Sequence, residues 1–192
     1  MKRTIILLFF LATISSFSQV KQTDANLFQA KEFSKDIALF KAKEFVMEKI
    51  IGVDTELTKF EIDPLAASSS GQLTSLVYSC KEKNLSGLVL GFYGNRWNPA
   101  GVAYQAYAFK NLTEVKAIEL LNKIDDFMNE NLKYLNSSSD NNNIFFKYDD
   151  MTFLIYRDGA IKIRIFWNNF DSEWEEISFG RTKRRFEKAI KN

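Results

Sequence analysis

The spacing of apolar residues changes along this chain, and each change marks a different kind of secondary structure. Between residues 24 and 51 apolar side chains keep to one helical face, with Asp24 as a suitable N-cap and Gly52 as a suitable stop. Further helices are predicted over residues 113–135 and, with many basic side chains, over residues 182–191. The apolar face predicted for the first helix consists of Ala30, Phe33, Ile37, Phe40, Met47 and Ile51.

The second predicted helix carries apolar and charged residues on opposite sides. Glu119 and Lys123 stand one turn apart, in the order that favours an ion pair, and are expected to face solvent. The side expected to face a core consists of Val115, Ile118, Leu121, Met128, Leu132 and Leu135.

Between these helices the apolar period shortens to about two residues, which is typical of strands half buried against a core. The dipeptide Asp158-Gly159 predicts a type I′ hairpin turn, because both central positions of that turn need positive φ. The predicted strands are residues 59–63, 73–80, 86–94 and 102–109 in the first group, and residues 144–148, 151–157, 160–167 and 172–179 in the second.

The element order is therefore helix, four strands, helix, four strands, helix, which predicts an α+β fold with antiparallel β-sheets and helices packed on one side. Two short similarities connect the strand groups: LTSLVY at 73–78 with MTFLIY at 151–156, and FYGN at 92–95 with FWNN at 166–169. A degenerate tandem repeat is one interpretation, and chance similarity between amphipathic hairpins is the other.

The first residues have the pattern of a secretory signal peptide. Lys2 and Arg3 precede an apolar run over residues 5–12, and small residues follow up to Ser18. The run is shorter than the roughly 20 residues that a membrane-spanning helix needs. The sequence therefore predicts a signal peptide over residues 1–18 that is cleaved on export to the periplasm or the extracellular medium.

The chain after the predicted cleavage, residues 19–192, suits a single domain. Cleavage removes two of the 26 basic residues and none of the 24 acidic ones, which leaves 24 of each. A neutral chain has no general attraction to nucleic acid or to an anionic membrane. Nucleic-acid binding is therefore not expected, and no transmembrane segment is predicted after cleavage.

The absence of histidine excludes many catalytic chemistries. Ser-His-Asp and Cys-His catalysis, histidine-bound zinc and the usual haem ligands all need that side chain. The single cysteine, Cys80, cannot form an intramolecular disulfide and is expected to be a small buried residue. No cofactor and no metal site is expected, and the pair Asp149-Asp150 most simply forms a turn between strands.

The segment GNRWNPAG, residues 94–101, is predicted to be a loop between two strands because it holds glycines and a proline. Arg96 can bind a carboxylate or phosphate in fork geometry, and Trp97 can stack on a sugar, a base or a protein side chain. With Asn95 these residues form a candidate ligand site. The alternative is a plain turn in which Trp97 caps the edge of the core.

A second candidate lies in NNFDSEWEE, residues 168–176, where Phe170 and Trp174 can act as aromatic platforms for a ligand. Asp171 and Glu173 are the acids that a carboxylate-dependent hydrolase acting on glycans would use, since that chemistry needs no histidine. The simpler interpretation is that acids at alternate positions form the solvated face of a strand.

The function predicted from these observations is binding without catalysis, by a small exported protein. The expected partner is another envelope or extracellular protein, or a glycan. The expected surface is either the strand-end loops or an exposed sheet face. The alternatives are the glycan-active hydrolase and a structural or accessory subunit of the envelope. The basic C-terminal helix is expected to pack on the core through Phe186 and Ile190.

Overall fold

The structure is a computed structural model that describes residues 39–97, 99–137 and 141–191. Of Arg96, Trp97 and Ala103 it describes the backbone but not the side chain. Phe40–Asn192 form one compact unit. The predicted signal peptide and the first part of the first predicted helix lie outside the described residues.

The described elements confirm the α+β class and the predicted order. The first helix is α-helical up to residue 45 and π-helical over Val46–Ile51. In chain order the elements are α1 (residues 39–51), β1 (Glu61–Ala67), β2 (Leu73–Cys80), β3 (Leu85–Trp97), β4 (Ala103–Thr113), α2 (Glu114–Glu130), the short α3 (Leu132–Leu135), β5 (Asn143–Tyr148), β6 (Met151–Asp158), β7 (Ala160–Trp167), β8 (Phe170–Glu175) and α4 (Glu176–Ala189).

The strands form two antiparallel meanders, a first sheet in the order β1-β2-β3-β4 and a second in the order β5-β6-β7-β8. In each half the fourth strand passes directly into a helix: β4 ends at Thr113 and α2 begins at Glu114, while β8 ends at Glu175 and α4 begins at Glu176. The unit that recurs is therefore four strands followed by a helix, and α1 stands outside that pattern.

The two sequence similarities behave differently in the structure. LTSLVY and MTFLIY occupy the second strands, β2 and β6, with matching inward positions. However, Thr74 pairs with Gly91 whereas Thr152 pairs with Phe166, so the match of FYGN to FWNN is displaced by one residue. A shift of one residue exchanges the two faces of a strand. The tandem repeat stays a hypothesis, supported by topology and by one of the two similarities.

The inner faces of both sheets share one apolar core with α2 and α4. The Trp174 and Phe179 rings meet at 5.4 Å, and the buried hydroxyls of Ser75 and Thr182 lie 2.7 Å apart and join β2 to α4. Fully buried members of this core include Leu88, Leu90, Phe92, Leu120, Ile124, Phe153, Ile163 and Phe186.

Helix α1 lies on the other face of the first sheet. The Phe45 ring contacts the Phe109 ring at 5.4 Å, and Lys83 Nζ donates to the Ile51 carbonyl at 3.1 Å. The prediction for its buried face was partly wrong, since Phe40 is 68% exposed and Met47 is also exposed. The fully buried residues are Ala42 and Val46, one turn apart. Apolar side chains occur on two sides of this helix, and only tertiary contact selects between them.

The apolar face predicted for the second helix was wrong at Val115 in α2 and at Leu132 in α3, which are exposed, whereas Leu135 is buried as predicted. The predicted Glu119–Lys123 side is partly occupied by β5. Glu119 accepts a hydrogen bond of 2.9 Å from the Tyr148 hydroxyl, and Lys123 Nζ lies 5.8 Å from the Tyr148 ring centroid. The residues buried from α2 are Ala117, Leu120, Leu121, Ile124 and Met128.

The boundary between β8 and α4 also differs from the prediction. The strand ends at Glu175 and the helix begins at Glu176, six residues before the predicted start at residue 182. Alternation along SEWEEISF favours a strand, yet pairing with β7 ends at Glu175, opposite Lys162. The prediction that this helix packs on the core through Phe186 is confirmed, because Phe186 is fully buried.

The type I′ turn was assigned to the wrong hairpin. Asp158 and Gly159 do join β6 to β7, but of the two only Gly159 has positive φ, at 69°. Asn168 and Asn169, at 48° and 59°, provide both positive φ values between β7 and β8. Asparagine tolerates this conformation because its short side chain bonds the local backbone.

Two smaller points complete the fold. Cys80 is buried, as predicted. In the part of the chain that the structure describes, no helix has both the length and the apolar character needed to cross a bilayer.

Candidate binding surface

The segment that holds Asn95, Arg96 and Trp97 is a strand end and not a loop. Strand β3 runs to Trp97 and pairs there with Ala103, so the turn is confined to the segment between these two residues. The predicted loop over residues 94–101 was therefore too long. Glycine and proline residues indicate where the turn lies. However, cross-strand pairing continues past Gly94 to Trp97, so the strands are longer than the glycine and proline positions suggest.

The far part of this hairpin is a ribbon of two strands. Strand β2 pairs with β3 as far as Leu73 opposite Phe92, and the Tyr93 N–H still donates to the Gln72 carbonyl at 2.8 Å. Beyond Tyr93, β3 pairs with β4 alone. Asn95 is exposed opposite Gln105. The side chains of Arg96 and Trp97 lie outside the described residues, so their role in a ligand site stays a prediction.

Phe170 and Trp174 lie in the core. Phe170 is 6% exposed and its ring meets the Phe92 ring at 6.2 Å, while Trp174 is 1% exposed. Both belong to the inward set of β8, which alternates with the outward Asp171 and Glu173. In this conformation neither ring offers a face to a ligand.

The two predicted segments are nevertheless neighbours. A Cβ placed on Gly94 would lie 3.8 Å from Phe170 Cδ1, which brings the base of the ribbon against the start of β8. The contact is on the inner side of both sheets. The structure thus brings together the positions of Gly94 and Phe170 and leaves the acids of β8 on the opposite side.

The outer side of the second sheet, which we call the open face, consists of three cross-strand rows. Its most exposed large apolar member is Phe145, at 77%, and Phe166 is also exposed. No helix of the described residues lies across it, whereas α1 lies across the outer side of the first sheet. The rows are Lys147, Thr152, Phe166 and Asp171; Phe145, Leu154, Arg164 and Glu173; and Asn143, Tyr156, Lys162 and Glu175.

Ion pairs organise the charged half of the open face. Arg164 Nε lies 2.5 Å from Asp171 Oδ1, and Lys162 Nζ lies 3.2 Å from Glu173 Oε1 and 2.9 Å from Asp158 Oδ2. These hydrogen bonds raise the pKa of Lys162, first through Asp158 and then through Glu173. The hydrogen bond from Arg164 to Asp171 likewise raises the pKa of Arg164. The cations on β7 thus stay charged and fixed against the acids of β8.

Tyr156 completes this arrangement. Its hydroxyl donates to Glu173 Oε2 at 2.6 Å. Burial, followed by this hydrogen bond to a carboxylate, raises the pKa of Tyr156. The neutral hydroxyl therefore persists as a donor well into alkaline solution and holds Glu173 in place beside Lys162.

Asp171 and Glu173, the acids of the hydrolase alternative, are both already bound by neighbours on this face. They are alternate residues on one strand and project from an open sheet. Glycoside hydrolysis needs two carboxyl groups that converge on one bond, one of them as a proton donor. Asp171 pairs with Arg164 and Glu173 pairs with Lys162, so both acids form cross-strand ion pairs. The two carboxyl groups do not converge on a common point.

Asp149 and Asp150 form the predicted turn, between β5 and β6. Lys110 Nζ contacts both, at 2.9 Å and 2.5 Å, and Trp167 Nε1 donates to Asp150 at 2.8 Å. The pair therefore links the two sheets. Over the described ranges, no group of three or more acidic or cysteine side chains is placed to hold a metal ion.

Comparison of this chain with protein-family models, with curated proteins and with solved structures gave no match. The open face itself is therefore the basis for a function. Sequence patterning identified its acids but not Phe145, because an aromatic residue on a strand usually predicts burial.

Proposed function

We propose that this chain is an exported, non-catalytic binding protein and that its open face binds a folded protein partner. The observation that carries the proposal is the exposure of Phe145 beside a set of ordered ion pairs. Helix α1 lies across the corresponding side of the first sheet, whereas no helix of the described residues lies across the open face. Export rests on the signal-peptide pattern of residues 1–18.

Phe145 supplies the apolar contact. It stands in the middle row, opposite Leu154, which is itself partly exposed. Removing a phenylalanine side chain from water is worth about 1.5–3 kcal/mol. Aromatic residues are enriched at protein interfaces, where a few such contacts carry most of the affinity.

The ion pairs supply orientation. Arg164 with Asp171 and Lys162 with Glu173 place cations on β7 and acids on β8. A partner with the reverse order of charges is favoured in one orientation, and like charges are rejected in the other. Because the side chains are already ordered, little conformational entropy is lost when the partner binds.

The free edge of β5 favours a polypeptide over a glycan. Among the described strands β5 pairs with β6 alone, so one side of its backbone keeps unpaired donors and acceptors. A polypeptide can pair with such an edge while its side chains reach the adjacent face. Lys147 on β5 is a charge that discourages indiscriminate edge pairing.

The test compares two double variants of the purified protein. Phe145→Ser with Phe166→Ser removes the apolar contact from the open face, and Val115→Ser with Leu57→Ser removes two exposed apolar residues elsewhere. Val115 is 75% exposed, close to the 77% of Phe145, whereas Leu57 is 85% and Phe166 is 39% exposed. Thermal unfolding of both variants therefore verifies that each retains the fold. Each immobilised protein is exposed to the soluble envelope fraction and growth medium of the host, and retained proteins are purified and titrated individually.

We expect a purified partner that binds the wild type and the Val115/Leu57 variant alike, with affinity reduced at least about tenfold by the Phe145/Phe166 change. Hydrogen exchange in that complex should slow in β5 and β6. The proposal is contradicted if both variants bind alike, if the partner protects only the β3–β4 ribbon, or if self-association or a glycan accounts for all binding that depends on Phe145.

A further inference from the structure

The solvent-facing side of α4 carries a row of exposed cations. Arg181, Arg184 and Lys188 recur at spacings of three and four residues, and Lys191 follows just beyond the helix end. With about 3.6 residues per turn, the first three lie within an arc of roughly 60°. Within the described residues none of the four side chains makes a hydrogen bond or a salt bridge. We call these four residues the basic row.

The basic row lies opposite the side by which α4 packs on the core. Phe179, Thr182 and Phe186 are buried on that side. The row therefore points away from the protein along its whole length, and the residues that hold the helix in place do not overlap with it.

The other basic side chains near the middle of α4 do have partners. Lys183 Nζ lies 2.5 Å from Asp125 Oδ2, and the Arg185 guanidinium donates to the Leu65 carbonyl. These contacts attach α4 to α2 and to β1. Helix α4 thus has two groups of cations: Lys183 and Arg185 contact other elements of the fold, and the basic row does not.

The helix dipole does not account for the basic row either. Cations stabilise a helix when they stand in its last turn, and the effect fades within that turn. Of the row, Lys188 stands in the last turn of α4, which spans Glu176–Ala189, whereas Arg181 and Arg184 stand near its middle. The helix dipole therefore does not explain why Arg181 and Arg184 are basic.

We propose that the basic row binds a linear anionic glycan that lies along α4. The four residues extend over roughly 15 Å at 1.5 Å per residue and form a row about one side chain wide. A narrow row suits a single polymer chain. The two arginines can each hold a carboxylate or sulfate group through paired N–H donors.

A bilayer fits this surface less well. An amphipathic helix enters a membrane with its apolar side, and in α4 that side is occupied by the core. A membrane also presents charge over a wide plane, whereas residues 19–192 carry equal numbers of acidic and basic residues and Glu187 lies beside the row. This proposal does not depend on the open face, which is a different surface.

The test uses fluorescein-labelled dextran sulfate as the probe and neutral dextran as its control, with anisotropy measured at several salt concentrations. The triple variant R181Q/R184Q/K188Q removes three cations of the row. The matched variant K49Q/K81Q/K133Q removes three exposed lysines elsewhere, so the two variants have the same net charge. Thermal unfolding of both variants verifies that the fold is retained.

We expect the wild type to bind dextran sulfate and not neutral dextran. The row variant should bind at least about tenfold more weakly, with a shallower dependence on salt, because fewer counterions are released. The matched variant should stay within about twofold of the wild type. The proposal is overturned if dextran sulfate does not bind at low salt, if both variants lose affinity equally, or if the protein binds phosphatidylglycerol vesicles but not the polymer.

Discussion

Lys110 Nζ lies 2.5 Å from Asp150 Oδ1, so the last strand of the first sheet is bound to the first turn of the second. The Lys110 side chain is only 14% exposed, and it also contacts Asp149 at 2.9 Å. This one lysine therefore helps to fix two meanders that share a core but no strand pairing. It lies on the inner side of the sheets, away from the open face.

Lys110→Met should lower the free energy of unfolding by about 1–2 kcal/mol, because two carboxylates lose their charged donor. Lys116→Met is the matched control. Lys116 is about half exposed and lies 3.7 Å from Asp149, so its loss should cost less than about 0.5 kcal/mol. Urea unfolding of both variants measures the difference, and equal costs would contradict a linking role for Lys110.

The stabilisation that Lys110 provides through Asp149 and Asp150 should depend on pH. Burial alone would raise the pKa of Asp150, but hydrogen bonds from Lys110 and Trp167 hold it below its ordinary value of 3.8. Lys110 also lowers the pKa of Asp149. A carboxyl group with a lowered pKa in the folded state stabilises the fold above the unfolded value and loses that contribution as pH falls. The difference between wild type and Lys110→Met should therefore shrink below about pH 4.

The packing of α1 predicts that truncating two of its apolar residues changes the free energy of unfolding by different amounts. Val46→Ala should cost about 2 kcal/mol because it leaves a cavity against the first sheet. Phe40→Ala should change stability by less than about 0.5 kcal/mol, since Phe40 is exposed. Chemical unfolding measures both. A larger cost for Phe40→Ala would support the helical face predicted from sequence.

Two glycines should respond to alanine with opposite signs. A Cβ on Gly87 would clash with the Leu112 carbonyl oxygen and approach the Tyr78 hydroxyl to 2.7 Å, so Gly87→Ala should cost about 2 kcal/mol. At Gly180, inside α4, a Cβ meets nothing within 4 Å. Gly180→Ala should therefore stabilise the protein by about 1 kcal/mol, the difference in helix propensity. Thermal unfolding distinguishes the two, and a stabilising Gly87→Ala would be inconsistent with this strand pairing.

Tyr93 should make the fold sensitive to alkali. Its burial raises the pKa of the hydroxyl from 10.0 to about 12. The folded state then holds a proton that the unfolded state releases, so stability is full below pH 10 and falls between about pH 10 and 12. Tyr93→Phe should reduce that decline without abolishing it, because burial also raises the pKa of Tyr148 to about 12. Unfolding midpoints across this range test it, with Tyr134→Phe, at an exposed position, as the control.

The signal-peptide pattern predicts cleavage between Ser18 and Gln19 on export. The intact mass and N-terminal sequence of the exported protein measure this directly. A product that retains residues 1–18 or stays in the cytoplasm would contradict export, and with it the extracellular setting of both binding proposals.

Local patterning determined the order of the elements and the approximate bounds of most strands, because the apolar periods of helices and strands differ and turn residues mark their ends. It also identified the buried Cys80 and the turn at Asp149-Asp150. Those features depend on residues close together in sequence.

Tertiary structure decided which surfaces remain open. Val46 rather than Phe40 faces the first sheet, β8 ends at Glu175, and Trp174 is buried while Phe145 is exposed. Each outcome depends on what packs against an element from elsewhere in the chain. Periodicity shows that a helix or strand has two sides, but only the packing of the neighbours decides which side is buried and which is left for a partner.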